Sequence, residues 1–194
     1  LYVHTTDYPM HMWAPDREES RQHLKRLDQL IGEAAAAAPD AAFFFTADHG
    51  MNYKKRCWDL DKALGARGTQ VKFALSAEKD RYIKHHRTFG GSAYVWLNSP
   101  DDALEVKARI LQLEGIEAVR TREEAARDFS LMPDRIGELV VTGDKDTVFG
   151  ELAGEFEALE ASYRSHGSLH ESDVPLVVYN WKGELPGRGA FTRN

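Results

Sequence analysis

The run Phe43-Phe44-Phe45 passes directly into Thr46-Ala47-Asp48-His49-Gly50-Met51, and this junction constrains the fold more than any other stretch of the chain. Three consecutive aromatic residues predict a fully buried strand, because a strand covered on both faces needs no polar alternation. An Asp and a His where that strand runs out have two readings. One is a strand-to-loop turn with an aspartate cap, in which Gly50 lets the backbone turn without a Cβ. The other is a metal site. A carboxylate oxygen beside an imidazole nitrogen suits zinc-like or manganese-like ions, and open α/β sheets gather their sites at the carboxyl ends of strands.

Two further clusters support the second reading. Thr5-Thr6-Asp7-Tyr8-Pro9-Met10-His11 places Asp7 and His11 four apart, so one helical turn brings them to a common face, although Pro9 makes a regular helix there less certain. Ser165-His166-Gly167 lies in a polar loop just before the apolar run Leu176-Val177-Val178-Tyr179. Each cluster adjoins an expected strand. His170 and Glu171 follow closely enough to support the site or touch a substrate.

Between these clusters the pattern alternates helix and strand. Residues 17–38 predict a helix with Leu24, Leu27, Leu30 and Ile31 on one face, Asp16 as its cap and His23 on its surface. With the Phe43 strand and a strand end at Leu1-Tyr2-Val3-His4, this gives a strand–helix–strand unit and a parallel pair. The expected class is α/β: a mostly parallel central sheet flanked by helices, with a smaller α/β lobe inserted. The expected divisions are 1–69, 70–141 for the lobe, and 142–194 for the return to the sheet. Within the lobe, strands are expected over 70–76, 94–97, 116–120 and 137–142. A helix is expected over 100–113, with Leu104, Ala108 and Leu111 inward, and a short one over 121–128. Tyr94 and Trp96 are assigned to the lobe's core, and His85-His86 to a polar loop, with a substrate or metal contact as the alternative. Residues 147–163 predict a helix with an apolar stripe of Phe149, Leu152, Phe156 and Leu159. Residues 174–179 are expected as a strand and 182–194 as a polar tail. Lys54-Lys55-Arg56 read as a solvated basic loop, with a contribution to an anionic pocket as the alternative.

Composition narrows the partners. A net charge of −6 argues against general nucleic-acid binding. No apolar run approaches the ~20 residues of a membrane-spanning helix. The single Cys57 excludes an internal disulfide, fits a reducing, cytoplasmic compartment, and reads as a structural thiol. Homo-oligomerisation is compatible with the sequence but is not specified by it.

The wording of these segments resembles the alkaline phosphatase superfamily, in its branch of type I phosphodiesterases and nucleotide pyrophosphatases. The motifs that carry the likeness are Thr6-Asp7-Tyr8-Pro9-Met10-His11 with Ala14-Pro15, and Thr46-Ala47-Asp48-His49-Gly50-Met51-Asn52. Asp134-Arg135-Ile136-Gly137, Thr147-Val148-Phe149-Gly150 and Arg164-Ser165-His166-Gly167 point, within that branch, to phosphonoacetate hydrolases. The resemblance implies two divalent ions, best met by zinc and tolerant of manganese or iron. Asp7, His11 and His166 would hold one; Asp48 and His49 would hold the other. It implies an Asp and a Thr or Ser nucleophile from an earlier part of the polypeptide. Thr5 and Thr6 do not match that nucleophile's motif, so a C-terminal portion of a larger enzyme, inactive alone, is expected. The implied substrate is a small anionic phosphonate, phosphonoacetate, cleaved at its C–P bond to acetate and phosphate. A nucleotide phosphodiesterase or phosphatase, and a non-catalytic metal-binding domain, are the alternatives.

Overall fold

The computed structural model describes residues 6–76, 87 and 89–187. The strand end expected at Leu1-Tyr2-Val3-His4, and the His85-His86 loop, lie outside them. Two compact units divide the chain: Leu1–Gly50 with Ser172–Asn194, and Met51–Glu171.

The first unit opens with α1 (Asp7–Met12), α2 (Glu18–Ala37) and β1 (Phe43–Phe45). Pro9 is tolerated in α1 because it occupies the first turn, where a backbone N–H has no intrahelical acceptor. Asp16 does not cap α2. The cap position is Arg17, with no side-chain bond. The start of the helix is instead fastened by Ser20, whose Oγ donates to the Ala14 carbonyl at 2.9 Å. Its apolar stripe is only partly covered, with Leu24 and Leu30 exposed, and His23 is half-buried rather than on the surface.

The second unit carries β2 (Asn52–Tyr53), β3 (Arg56–Trp58), α3 (Leu60–Ala66), β4 (Phe73–Ser76) and β5 (Ser92–Trp96). It continues with α4 (Ala103–Ile110), β6 (Ile116–Thr121), α5 (Arg122–Phe129), β7 (Leu139–Gly143), β8 (Thr147–Phe149), β9 (Phe156–Ala158) and β10 (Arg164–Ser165). The chain then returns to the first unit with β11 (Val177–Tyr179).

Pairing among the described residues is mixed and predominantly antiparallel, so the expected mostly parallel sheet is not what they form. In the first unit β1 runs antiparallel to β11, with Phe43 opposite Tyr179 and Phe45 opposite Val177. The Phe43 strand is correctly placed but not fully buried. Phe44 is 47 % exposed and meets Trp181 edge-on at 5.7 Å. In the second unit β4-β5-β7-β6 form a wholly antiparallel sheet, and β2 pairs antiparallel with β10. A three-stranded sheet ordered β8-β3-β9 holds the one parallel pair among the described strands, β3 with β8.

Residues 147–163 are not helical. Thr147, Val148 and Phe149 are β-branched or aromatic and pair with one edge of β3, while Phe156–Ala158 pair with the other. The 3-4-3 spacing of Phe149, Leu152, Phe156 and Leu159 imitates a helix, but Gly150 and Gly154 oppose one. The helix expected over 100–113 is a 3-10 turn, Pro100–Asp102, followed by α4. It packs through Val106 and Ile110, with Leu113 beyond its end, whereas Leu104 is 77 % exposed and Ala108 and Leu111 also face solvent. The expected strands near 70–76, 94–97, 116–120 and 137–142 are realised as β4, β5, β6 and β7. The short helix is α5, whose N-cap Thr121 forms a reciprocal capping box with Glu124.

Trp58, Leu64, Val95, Ile110, Leu139, Val141 and Phe149 share one core. Residues 51–69 and 142–171 therefore belong to the same unit as 70–141. Trp96 is only half-buried and stacks on Phe73 at 4.5 Å, on the opposite face of the sheet from Val95. Tyr94, on that same face, packs against the smaller cluster of Ala125, Ile136 and Val140. No helix among the described residues is long and apolar enough to cross a membrane.

Candidate metal centre

Four of the five residues expected to hold metal lie in the first unit, where Asp7 lies near both histidines and His49 also lies near Asp48. Helix α1 brings His11 Nε2 to 3.5 Å from Asp7 Oδ1, the separation expected at i, i+4. β1 delivers Asp48 and His49 just past its end. His49 Nε2 lies 3.9 Å from Asp7 Oδ1 and 3.7 Å from Asp48 Oδ1. Its other nitrogen, Nδ1, is 3.0 Å from the Gly50 carbonyl. A carbonyl only accepts, so Nδ1 donates there and Nε2 is the ring nitrogen that faces the carboxylates.

These separations test whether the group fits a divalent ion. At 3.5–3.9 Å the pairs are longer than charge-assisted hydrogen bonds. Ligands on a tetrahedral ion at ~2.0–2.1 Å stand roughly 3.3–3.4 Å apart. Each of these three pairs is therefore spaced nearer to two ligands on one ion than to a hydrogen bond, and the O and N donors are of types that divalent ions take. His11 is shielded, its side chain 4 % exposed, whereas Asp48 is 55 % exposed.

His166 lies in the second unit, directly after β10, where it is buried. Its carbonyl accepts from the Gly91 N–H at 2.8 Å. Gly167 follows with a φ of +97°, a left-handed value that favours glycine.

The basic stretch is not a solvated loop. Arg56 lies in β3 and pairs with Glu114 and Asp144. Lys55 is exposed beside Asp146, and together with Lys145 it holds that carboxyl at about 2. Lys54 is buried outright. Its Nζ donates to Glu171 Oε1 at 2.8 Å, and both side chains are almost wholly excluded from solvent. Nothing local in the sequence marks Lys54 as buried, since its partner is 117 positions away. His170 meets Glu117 at 3.1 Å. Cys57 is an inert thiol, pushed up to about 12 by burial.

The Type I phosphodiesterase / nucleotide pyrophosphatase model matches residues 1–168, a span that holds all five expected ligands. The chain belongs to the type I phosphodiesterase/nucleotide pyrophosphatase family. Its fold is similar to that of phosphonoacetate hydrolase from Sinorhizobium meliloti 1021 in complex with phosphonoacetate. The TM-score is 0.81 at 30 % identity, over 95 % of this chain and 46 % of that one. The same enzyme in complex with phosphonoformate matches equally. Murine ectonucleotide pyrophosphatase/phosphodiesterase 5 shares the fold at a TM-score of 0.55 and 17 % identity, over 85 % of this chain and 42 % of that one. This family member thus spans just under half the length of these solved relatives.

Proposed function

We propose that this chain supplies the metal-binding part of a two-metal hydrolase that cleaves phosphonoacetate to acetate and phosphate. The observation that carries the reading is the pairwise ligand-like spacing of Asp7 with His11 and of Asp48 with His49. Likeness to a hydrolase in complex with phosphonoacetate supports the substrate class. By the family resemblance, His166 joins Asp7 and His11 at one ion, and Asp48 and His49 serve the second. When bound, the ions supply positive charge at phosphonate oxygens and ease deprotonation of a nucleophile near neutral pH.

The residues of this chain do the holding. His49 is oriented with Nε2 toward the carboxylates by its bond to Gly50, and α1 presents Asp7 and His11 on one face. In the reaction a P–O bond forms to a hydroxyl nucleophile that gives up its proton, the P–C bond breaks, and the electron pair passes to carbon, which takes a proton to give acetate; water then attacks the phosphorus of the resulting phosphoester, releasing phosphate and restoring the hydroxyl. No Thr or Ser of this chain matches the family's nucleophile motif, so the nucleophile is assigned to another part of the polypeptide. A phosphodiesterase is the second reading, favoured by the family model that matches residues 1–168.

The test is phosphate release from phosphonoacetate, against nitrophenol release from bis(4-nitrophenyl) phosphate, by the product of the complete reading frame. Activity on phosphonoacetate that a chelator removes and zinc or manganese restores, and that His11→Ala loses, is the expected result. Preference for the diester moves the assignment to the second reading. A protein that binds no divalent ion sinks both.

A further inference from the structure

The turn that carries His166 is fixed at several points within the second unit. Ser165 Oγ donates to the Phe89 carbonyl, and Gly91 N–H donates to the His166 carbonyl. Glu171 closes the turn. It ends the 3-10 turn Leu169–Glu171 and folds its carboxylate back onto the segment it follows. Oε2 accepts from the Ser168 N–H at 2.9 Å and from Ser168 Oγ at 2.7 Å. Oε1 accepts from Lys54 Nζ at 2.8 Å and Asn52 Nδ2 at 2.7 Å. Lys54 is anchored in turn on the Lys145 carbonyl at 3.1 Å. The Glu171 and Lys54 side chains are 1 % and 0 % exposed.

A buried ion pair is a poor route to stability alone, because desolvation cancels much of its attraction and apolar replacements are often neutral or better. The bonding pattern here indicates what the pair does besides. One carboxylate oxygen is spent wholly on Ser168, two residues past His166. The other is spent on Asn52 and Lys54, in and next to β2, the strand paired with the His166 segment across β10. We infer that Glu171, braced by Lys54, is a positioning residue for His166, setting the turn that aims the imidazole. The inference rests on the reading of His166 as a metal ligand.

Cobalt(II) is the probe, titrated into the full chain and followed by visible absorption and calorimetry. Thermal unfolding by circular dichroism runs alongside. Glu171→Gln keeps the shape but cannot accept from Ser168 as well as from Lys54 and Asn52. It is expected to weaken one cobalt site by about 10–100-fold and to shift its absorption band. Lys54→Met with Glu171→Leu removes both charges together, so folding is retained while the same site weakens. Ser168→Ala deletes the two bonds of its hydroxyl, one to Glu171 and one from the His170 N–H, but keeps the backbone bond to Glu171, so it leaves the unit folded and is expected to weaken the same site less than Glu171→Gln does. A residue that only stabilised the fold would lower the melting temperature without moving the absorption band.

Wild-type cobalt affinity and spectrum in every variant that folds, with a site lost in His166→Ala, overturns the inference alone. No site lost in His166→Ala, or no cobalt bound by the wild type, overturns the ligand reading and the inference with it.

Discussion

Replacing Gly91 by alanine puts the packing of the His166 turn to a quantitative test. A Cβ on Gly91 would lie 2.5 Å from the Ser168 nitrogen, 2.6 Å from its Cβ and 2.9 Å from the Gly167 carbonyl carbon. Two of these atoms are backbone, so no flexible side-chain tip can swing aside. Restoring ordinary contact at 3.4 Å requires a shift of about 0.9 Å. That shift must stretch the 2.8 Å bond from Gly91 to His166 or the two bonds from Ser168 to Glu171. Overpacking of this kind costs about 1–3 kcal/mol. For a chain of this size, that lowers the melting temperature by roughly 2–12 °C. Gly65→Ala is the matched control. Gly65 lies in α3 with nothing within 4 Å of the added carbon, so alanine should stabilise by about 0.5–1 kcal/mol. Thermal unfolding followed by circular dichroism reads both. A Gly91→Ala protein that melts at or above the wild type, while Gly65→Ala is stabilised as expected, would refute the reasoning.

Three other outcomes follow from the same structure. Ile110→Ala empties a fully buried position between α4 and the four-stranded sheet, and should cost about 2–5 kcal/mol in urea unfolding; a loss under 1 kcal/mol would mean the site collapses freely. Burial works against the charge on Glu171, but its bonds from Lys54, Ser168 and Asn52 outweigh that and hold the carboxyl below the ordinary glutamate range. The stability it contributes is therefore complete above about pH 4.3 and is lost as pH falls through its lowered folded value, a dependence that Glu171→Gln should flatten in acid unfolding curves. Cys57, pushed up to about 12 by burial, holds only about one thiolate in ten thousand at pH 8; an aromatic disulfide reagent should label it at the rate of unfolding, and rapid labelling of the native protein would contradict its burial.

The proximity of the candidate ligands was more legible in the sequence than the architecture around them. Asp7 and His11 are one helical turn apart, and Asp48 and His49 are adjacent past an aromatic strand, so local spacing alone brings each pair together. The sheet directions were not legible, because strand order depends on partners far away along the chain. Phe149, Leu152, Phe156 and Leu159 show why: their spacing satisfies a helix, yet both edges of β3 were waiting for strands. The face of α4 was misjudged for a related reason. Leu104, Ala108 and Leu111 form one plausible stripe and Val106, Ile110 and Leu113 another, and only packing against α3 and the sheet chooses between them. Lys54 was unreadable in kind, since a lysine is buried only where a distant acid such as Glu171 meets it.

The pairing of β1 with β11 has a consequence for synthesis. Phe45 lies opposite Val177, 132 positions later, with the whole of the second unit translated in between. At ~5–20 residues per second, the nascent Phe43–Phe45 segment waits roughly 7–26 s for its strand partner. During that interval the second unit can complete its own core, because it is continuous in sequence. Three consecutive aromatic residues of high β-propensity meanwhile stand open to pairing with other nascent chains. Yield should therefore depend on translation rate and on chaperones that shield the Phe43–Phe45 segment, more than on the stability of the finished fold.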